Sequence, residues 1–378
     1  MDETNQMKVK FNDIFKSINY LNYVEDLFSD YDHFRSKKYS LLSLELLRKR
    51  FPASGLWLTH SATGALEMIA KAIKIQEGDE VIMSSFTFVS TANAFVNCGA
   101  RPVFVDISEE DFNIDIRKIE DKITKNTKAI VVTHYGGHAT DLEFLKQLCK
   151  KYQLFLIEDA AMAYGNSYQG KQLGSIGDFG VISFDITKQI SAVQGGLLIC
   201  NRPEFQDPLD HIYHIGTNRT QFMQQNKPYY EWVSVGSKYQ MNELSAAALY
   251  DNLLNEGEIL SRRNAISTLY YDGLQSLKEK GINLISEEKL AANIHFFYLL
   301  LPTTEERNEL IAYLSEKGIE ALFHYVPLHN SEMGKTFGTQ NLPVTESVSG
   351  RLVRLPLHVN LKDETVLEVI KEVNLFGQ

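Results

Sequence analysis

Leu154-Phe-Leu-Ile-Glu-Asp159 is a short apolar run that ends on two acids. Downstream, Gly180-Val-Ile-Ser-Phe184 is a second such run, and it leads through Asp185-Ile-Thr to Lys188. Both are apolar at consecutive positions rather than alternating ones. That pattern marks strands covered on both faces, as in a mostly parallel sheet flanked by helices. Ligands of such sheets bind beyond the carboxyl ends of the strands, where Asp159 and Lys188 fall.

The neighbouring sequence extends the pattern. Glu80-Val-Ile-Met-Ser84, Pro102-Val-Phe-Val-Asp106, Lys128-Ala-Ile-Val-Val-Thr-His134 and Gly196-Leu-Leu-Ile-Cys200 read as further strands. Residues 64–75 and 142–152 carry helical spacing between them, so an α/β layer architecture is expected. From residue 254 the pattern changes to a long helical run over 256–280, a strand-like His295-Phe-Phe-Tyr-Leu-Leu-Leu301, and helices over 304–317 and 363–376. That is a smaller α+β unit. Residues 1–50 are mostly helical, aromatic and basic. The expected division is therefore 1–50, a large domain over 51–253 and a small domain over 254–378.

Composition narrows the function. A chain of 378 residues with 44% hydrophobic and 23% charged residues is an ordinary globular protein with room for two cores. Its net charge of −10 argues against a nucleic-acid partner, which calls for a basic face. The acidic, polar start Met1-Asp-Glu-Thr-Asn-Gln6 is unlike a secretory signal. No apolar run approaches the roughly 18 residues that cross a bilayer. We expect a cytoplasmic protein with no membrane partner. Cys98, Cys149 and Cys200 are odd in number and widely spaced, so buried reduced thiols are expected and no metal site.

A strand ending in an acid and a second leading to a lysine is what pyridoxal 5'-phosphate needs. The amine condenses with the cofactor aldehyde, and the acid keeps the pyridine nitrogen protonated so that the ring draws electrons. The plain alternative is a surface lysine, one among 38 Lys and Arg residues. Ser61-Ala-Thr-Gly64 opens a helix after Leu56-Trp-Leu58, where amides and hydroxyls can hold a phosphate, although many such openings are simple caps. Phe88, in Ser85-Phe-Thr-Phe-Val-Ser-Thr-Ala-Asn93, is either core packing or a ring to lie on a pyridine.

Together these strings resemble the DegT/StrS-type sugar aminotransferases, a branch of the fold-type I pyridoxal phosphate enzymes. The resemblance runs over nearly the whole chain after residue 50. It includes Gly78-Asp-Glu-Val-Ile-Met83, Thr87-Phe-Val-Ser-Thr-Ala-Asn-Ala94, Gly99-Ala-Arg-Pro-Val-Phe-Val-Asp106, Ile157-Glu-Asp-Ala-Ala161, Gly174-Ser-Ile-Gly-Asp178 and Ser183 to Lys188. Gly216-Thr-Asn-Arg-Thr-Gln-Phe222 and Phe323-His-Tyr-Val-Pro-Leu-His329 look most like the branch that makes dTDP-4-amino-4,6-dideoxygalactose from its 4-keto precursor. The resemblance implies Lys188 as the Schiff-base lysine and proton shuttle, and Asp159 as partner of the pyridine nitrogen. It further implies Phe88 as the stacking ring, Ala62, Thr63 and Ser183 as the phosphate cradle, and Lys238 reaching the phosphate from a neighbouring subunit. Tyr325 and His329 would line a nucleotide-sugar pocket. Glutamate is the implied amino donor, the C4 ketone of a dTDP-linked 4-keto-6-deoxyhexose the acceptor, polysaccharide biosynthesis the setting and a homodimer the assembly.

Four departures from the family stand out. Met162 replaces a hydrogen-bonding residue three positions after the aspartate. Val193-Gln194 stands where the family has Gly-Glu, and Lys238 where it has Asn. Residues 28–43 hold no glycine where the family has a glycine-rich lid, which implies a more helical cover. These changes leave open a non-catalytic or regulatory homologue that keeps the fold, or a transaminase for another keto sugar.

Overall fold

In this computed structural model, residues 7–15, 17, 19–224 and 228–376 are described. The first six residues, on which the reading of the amino-terminal start rests, lie outside the described residues. The central sheet holds β1 (Gly55–Thr59), β2 (Glu80–Ser84), β3 (Arg101–Val105), β4 (Thr127–Thr133), β5 (Phe155–Asp159), β8 (Phe179–Ser183) and β9 (Gly196–Cys200). Between β5 and β8, β6 (Ser167–Tyr168) and β7 (Lys171–Gln172) form a small hairpin. The order across the sheet is β1-β9-β8-β5-β4-β2-β3. Pairs from β3 to β8 are parallel, while β9 runs antiparallel to both β8 and β1.

Both faces of this sheet are covered, as the consecutive apolar runs require. In β4, Ile130 and Val132 enter one core and Ala129 and Val131 the other. The crossover helices follow from local sequence. In Leu142–Tyr152 the apolar Leu142, Leu145, Leu148 and Cys149 share the buried face, and the Asp141 carboxylate caps the amino end by accepting from the Phe144 amide. The register Thr133↔Asp159 brings the carboxyl ends of β4 and β5 level, and Asp159↔Val181 lets β8 run on beyond them to Ser183.

The smaller α+β portion is a three-stranded antiparallel sheet of β10 (Asn283–Leu284), β11 (Phe297–Leu300) and β12 (Leu352–Leu355), packed by helices Glu256–Gly273, Thr304–Glu316 and Asp363–Leu375. Its core takes in Val9, which bridges to Ile319. Helices Tyr20–Ser29 and Lys38–Arg50 pack instead on the helix Glu243–Leu254. The described residues up to 50 are thus shared between two parts of the molecule. A single strand pair with no periodic signal explains why the sequence did not reveal this. Residues 28–43 are largely helical, as the missing glycines suggested. The amino end of helix Lys38–Arg50 is seated on the Glu243 carboxylate, which accepts from the amides of Tyr39 at 2.8 Å and Ser40 at 3.3 Å.

No helix among the described residues is long and apolar enough to cross a membrane. The three cysteines are free thiols, and no cluster of metal-ligating side chains occurs among the described residues.

Candidate active site

Asp159 ends β5 with only 5% of its surface exposed. Its Oδ2 accepts from the Thr91 hydroxyl at 2.6 Å, and its Oδ1 accepts from the Ala161 amide at 3.2 Å. Thr91 belongs to a buried chain of hydroxyls, with Thr87 3.0 Å from Thr91 and 2.9 Å from Thr133. The carboxylate is therefore held from two sides. Sequence reading missed Thr91, although it lies inside the quoted Ser85–Asn93 string. Only the fold of helix Val89–Val96 over the end of β5 reveals it.

Beneath Asp159, Glu158 points the other way and fixes the supporting loop. Its carboxylate accepts from the amides of Gly174 at 2.8 Å and of Ile176 and Gly177 at 2.6 Å, and pairs with His134 at 2.9 Å. Burial works against this charge, yet the His134 contact and the loop amides hold the carboxyl below its usual range.

Lys188 follows β8 by a turn in which its amide donates to the Asp185 carbonyl at 2.9 Å. Its side chain is partly covered, and the amine end is enclosed. Loss of water pushes the ammonium down to about 8, against the opposing pull of Asp159, with Arg354 adding to the depression. Lys188 and Asp159 are thus close enough for their charges to act on one another. Between Lys188 and β9 the chain turns through Val193, which takes a left-handed φ of 65° and is 49% exposed. A β-branched residue is strained there. Val193→Gly is expected to stabilise the protein by roughly 0.5–1 kcal/mol, net of glycine's chain entropy, seen as a higher denaturant midpoint.

The residues expected to cradle a phosphate lie at the ends of β8 and β9 and at the start of the helix Ala62–Ala72. Ser61 caps that helix by accepting from the Gly64 amide at 3.0 Å, and Thr63 donates to the Ser90 hydroxyl at 2.7 Å. Ser183 pairs with Gly196 across β8 and β9. Gly196 lets the helix end approach, because a Cβ there would stand 2.5 Å from the Ala62 nitrogen. Phe88 caps the next helix with its ring 56% exposed, in a region where Phe86 and Phe95 are fully packed away. Its centroid lies 6.1 Å from that of Tyr325. Tyr325 places its hydroxyl 4.0 Å from the Met162 sulfur, and burial together with the Asp159 charge pushes its phenol up.

One candidate, His329, behaves differently from the expectation. His329 is buried with both ring nitrogens engaged, Nδ1 with the Ser85 hydroxyl at 2.7 Å and Nε2 with Glu346 at 3.0 Å. It pins the Tyr325–His329 loop to the end of β2 and leaves no ring nitrogen for a ligand. Lys238 is exposed and bridges to His214, and no described contact joins it to Lys188, Asp159 or Ser183. It lies near Lys37, whose ammonium is lowered first by burial and then, against the pull of Glu243, by the charges of Arg219 and Lys238.

Residues 57–374 match the DegT/DnrJ/EryC1/StrS aminotransferase family. The chain belongs to this family. The GDP-perosamine synthase of Escherichia coli O157:H7 is 32% identical over 317 residues, which cover 84% of each protein. Among solved structures, the aminotransferase TlmJ from Streptoalloteichus hindustanus superposes with a TM-score of 0.86 at 26% identity, covering 97% of both chains. Spr1654 from Streptococcus pneumoniae in its PLP form gives 0.86 at 25%, again over 97% of both.

Aminotransferases of the family are pyridoxal phosphate enzymes, and the residues present fit that cofactor. The Lys188 amine and the braced Asp159 carboxylate act on one another, and the exposed Phe88 ring adjoins Tyr325, which feels the Asp159 charge. Hydroxyls and amides gather at a helix amino end where Gly196 brings no side chain.

Proposed function

We propose that this enzyme moves an amino group from glutamate to the C4 ketone of a nucleotide-linked 4-keto-6-deoxyhexose, with a dTDP sugar as the preferred acceptor. One observation carries the reading: the enclosed Lys188 amine, lowered to about 8, stands beside the braced Asp159 carboxylate at the strand ends. The strings at 216–222 and 323–329 support C4 and dTDP. The similarity to a GDP-perosamine synthase supports a nucleotide sugar and makes a GDP sugar the competing acceptor.

When bound, pyridoxal phosphate supplies an electron sink for the carbon that gains or loses a proton. Asp159 would keep the ring nitrogen protonated, and Thr91 keeps Asp159 aimed. The neutral Lys188 amine carries the proton from the donor's Cα and later delivers one to C4 of the sugar. Phe88 would cover the ring face and exclude water. Ser183, Thr63 and the amides at Ala62 would hold the phosphate. The Tyr325 hydroxyl, whose protein neighbour is the weakly accepting Met162 sulfur, supplies a donor on the side where Met162 has none.

This reading places the site between the proposed units 51–253 and 254–378, in a cytoplasmic homodimer. Lys238, Lys37 and Arg219 adjoin exposed Tyr229, Tyr230 and Trp232, the last 79% exposed. A second copy covers that apolar face and receives Lys238 at its phosphate.

The test is a two-step assay on protein loaded with pyridoxal phosphate. Glutamate alone should bleach the cofactor's visible band, and added dTDP- or GDP-linked 4-keto-6-deoxyhexose should restore it with an amino sugar seen by mass spectrometry. No bleaching with glutamate, or no aminated product from either sugar, sinks the proposal.

A further inference from the structure

Lys188 is followed by Gln189, a carboxamide with only 4% of its surface exposed. Its Nε2 donates to two main-chain carbonyls, that of Met162 at 3.4 Å and that of Asn293 at 3.2 Å. Met162 lies on the turn that follows Asp159, and Asn293 lies just ahead of β11 in the smaller α+β portion. A carboxamide nitrogen carries two hydrogens, one for each carbonyl. One side chain thus ties the turn bearing the amine to the turn bearing the carboxylate, and both to the smaller sheet.

The point it grips is itself fixed. Asn166 meets the main chain of Asn293 twice, accepting from its amide at 2.8 Å and donating to its carbonyl at 3.0 Å. The same Asn166 nitrogen donates to the Gly137 carbonyl at 2.8 Å. Gly137, at a left-handed φ of 102°, permits this approach, since a Cβ there would stand 2.7 Å from that nitrogen. The Asn293 side chain donates to the Gly165 carbonyl at 3.0 Å and accepts from Asn264 at 2.9 Å. The turns after β4 and β5 and the entry to β11 form one knot, and Gln189 joins it to Lys188.

The lysine turn has little else to hold it. Asp185 accepts from Thr187 and from the Lys188 amide, all within the turn. Among the described residues, Gln189 is the one side chain of residues 185–190 with a hydrogen bond beyond that stretch. The amine meanwhile sits among charges from several segments. Asp159 and Asp185 raise its proton affinity, burial and Arg354 lower it, and His295, kept neutral by burial, faces it too. Any swing of the turn alters all of these distances at once.

We propose that Gln189 is a positioning residue, whose carboxamide holds the Lys188 amine against Asp159 and couples it to the seating of the smaller sheet. The inference rests on the transaminase reading, in which Lys188 moves the proton. Misplacing a reacting group by about 1 Å costs on the order of 10²-fold.

The experiment uses full-length protein and the variant Gln189→Met, which keeps length and neutrality but has no donor. In loaded protein, the maximal rate of bleaching by glutamate is expected to fall roughly ten- to a hundredfold, with KM within about threefold. In protein freed of cofactor, the rate of pyridoxal phosphate uptake follows the neutral amine. Its inflection, near 8 in wild type, should move up by roughly half a pH unit or more as the loosened turn regains water. Gln189→Asn keeps the donors one methylene short and should fall between the two; it decides if the methionine variant does not fold. Wild-type bleaching with an unmoved inflection overturns the proposal, even where the variant melts at a lower temperature, because packing alone does that. Wild-type protein that takes up no cofactor, or is not bleached by glutamate, defeats the transaminase reading itself. Wild type that bleaches, beside variants that match it, defeats only the role of Gln189.

Discussion

Lys188→Ala is expected to lower turnover by at least about 10⁴-fold, the upper range for one acid–base group, because the same side chain also anchors the cofactor. The structure gives the reason in its surroundings. The amine is enclosed, its ammonium is destabilised chiefly by loss of water, and Asp159 is near enough to resist that shift. With the ammonium lowered to about 8, a usable fraction of the amine is neutral at physiological pH, which an ordinary lysine lacks. The sign of the pH dependence follows. Proton abstraction requires the neutral form, so the glutamate half-reaction should gain nearly tenfold per pH unit below about 8 and level off above it. Stopped-flow bleaching of the visible band measures both effects. Lys188→Arg separates base from charge: it keeps the cation, cannot lose the proton, and should be as slow as the alanine variant. Recovery of the arginine variant to within tenfold of wild type would show that Lys188 is not the base.

The strands that carry this site were legible because burial on both faces writes consecutive apolar residues into the sequence. The runs at 80–84 and 196–200 match β2 and β9 residue for residue, and the others lie within a residue or so of the observed strands. Lys188 and Asp159 were legible for the same reason, since Asp159 ends one such run and Lys188 comes one short turn after another. The partners that aim them were not. Thr91 reaches Asp159 across 68 positions of chain, and Arg354, whose charge helps to lower Lys188, looks in the sequence like any basic residue in a strand. Whether a charge is paired is a property of tertiary packing, and no local pattern encodes it. His329 illustrates the converse. Its motif was legible, but Ser85 and Glu346, which occupy its ring, come from distant segments.

The second large effect is expected at Asp159. A carboxylate at 5% exposure, braced by a hydroxyl at 2.6 Å and an amide at 3.2 Å, is a fixed negative charge rather than a mobile one. Such preorganised charge acts fully in a site closed to water, because nothing must reorient as the reaction proceeds. Asp159→Asn keeps the size and the Thr91 contact but removes the charge that keeps the pyridine nitrogen protonated. Turnover should fall by about 10²- to 10³-fold, the range for losing one such electrostatic group, with cofactor still taken up. Thr91→Val asks a different question, since it leaves the carboxylate charged and removes only its brace. One charge-assisted hydrogen bond is worth roughly 1.5–3 kcal/mol, so that variant should retain more activity than Asp159→Asn. The order of the two variants is the measurement that matters. If Thr91→Val were the slower enzyme, the hydroxyl chain through Thr87 and Thr133 would be acting on the reaction itself. Asp159 would then be its support rather than its source of charge.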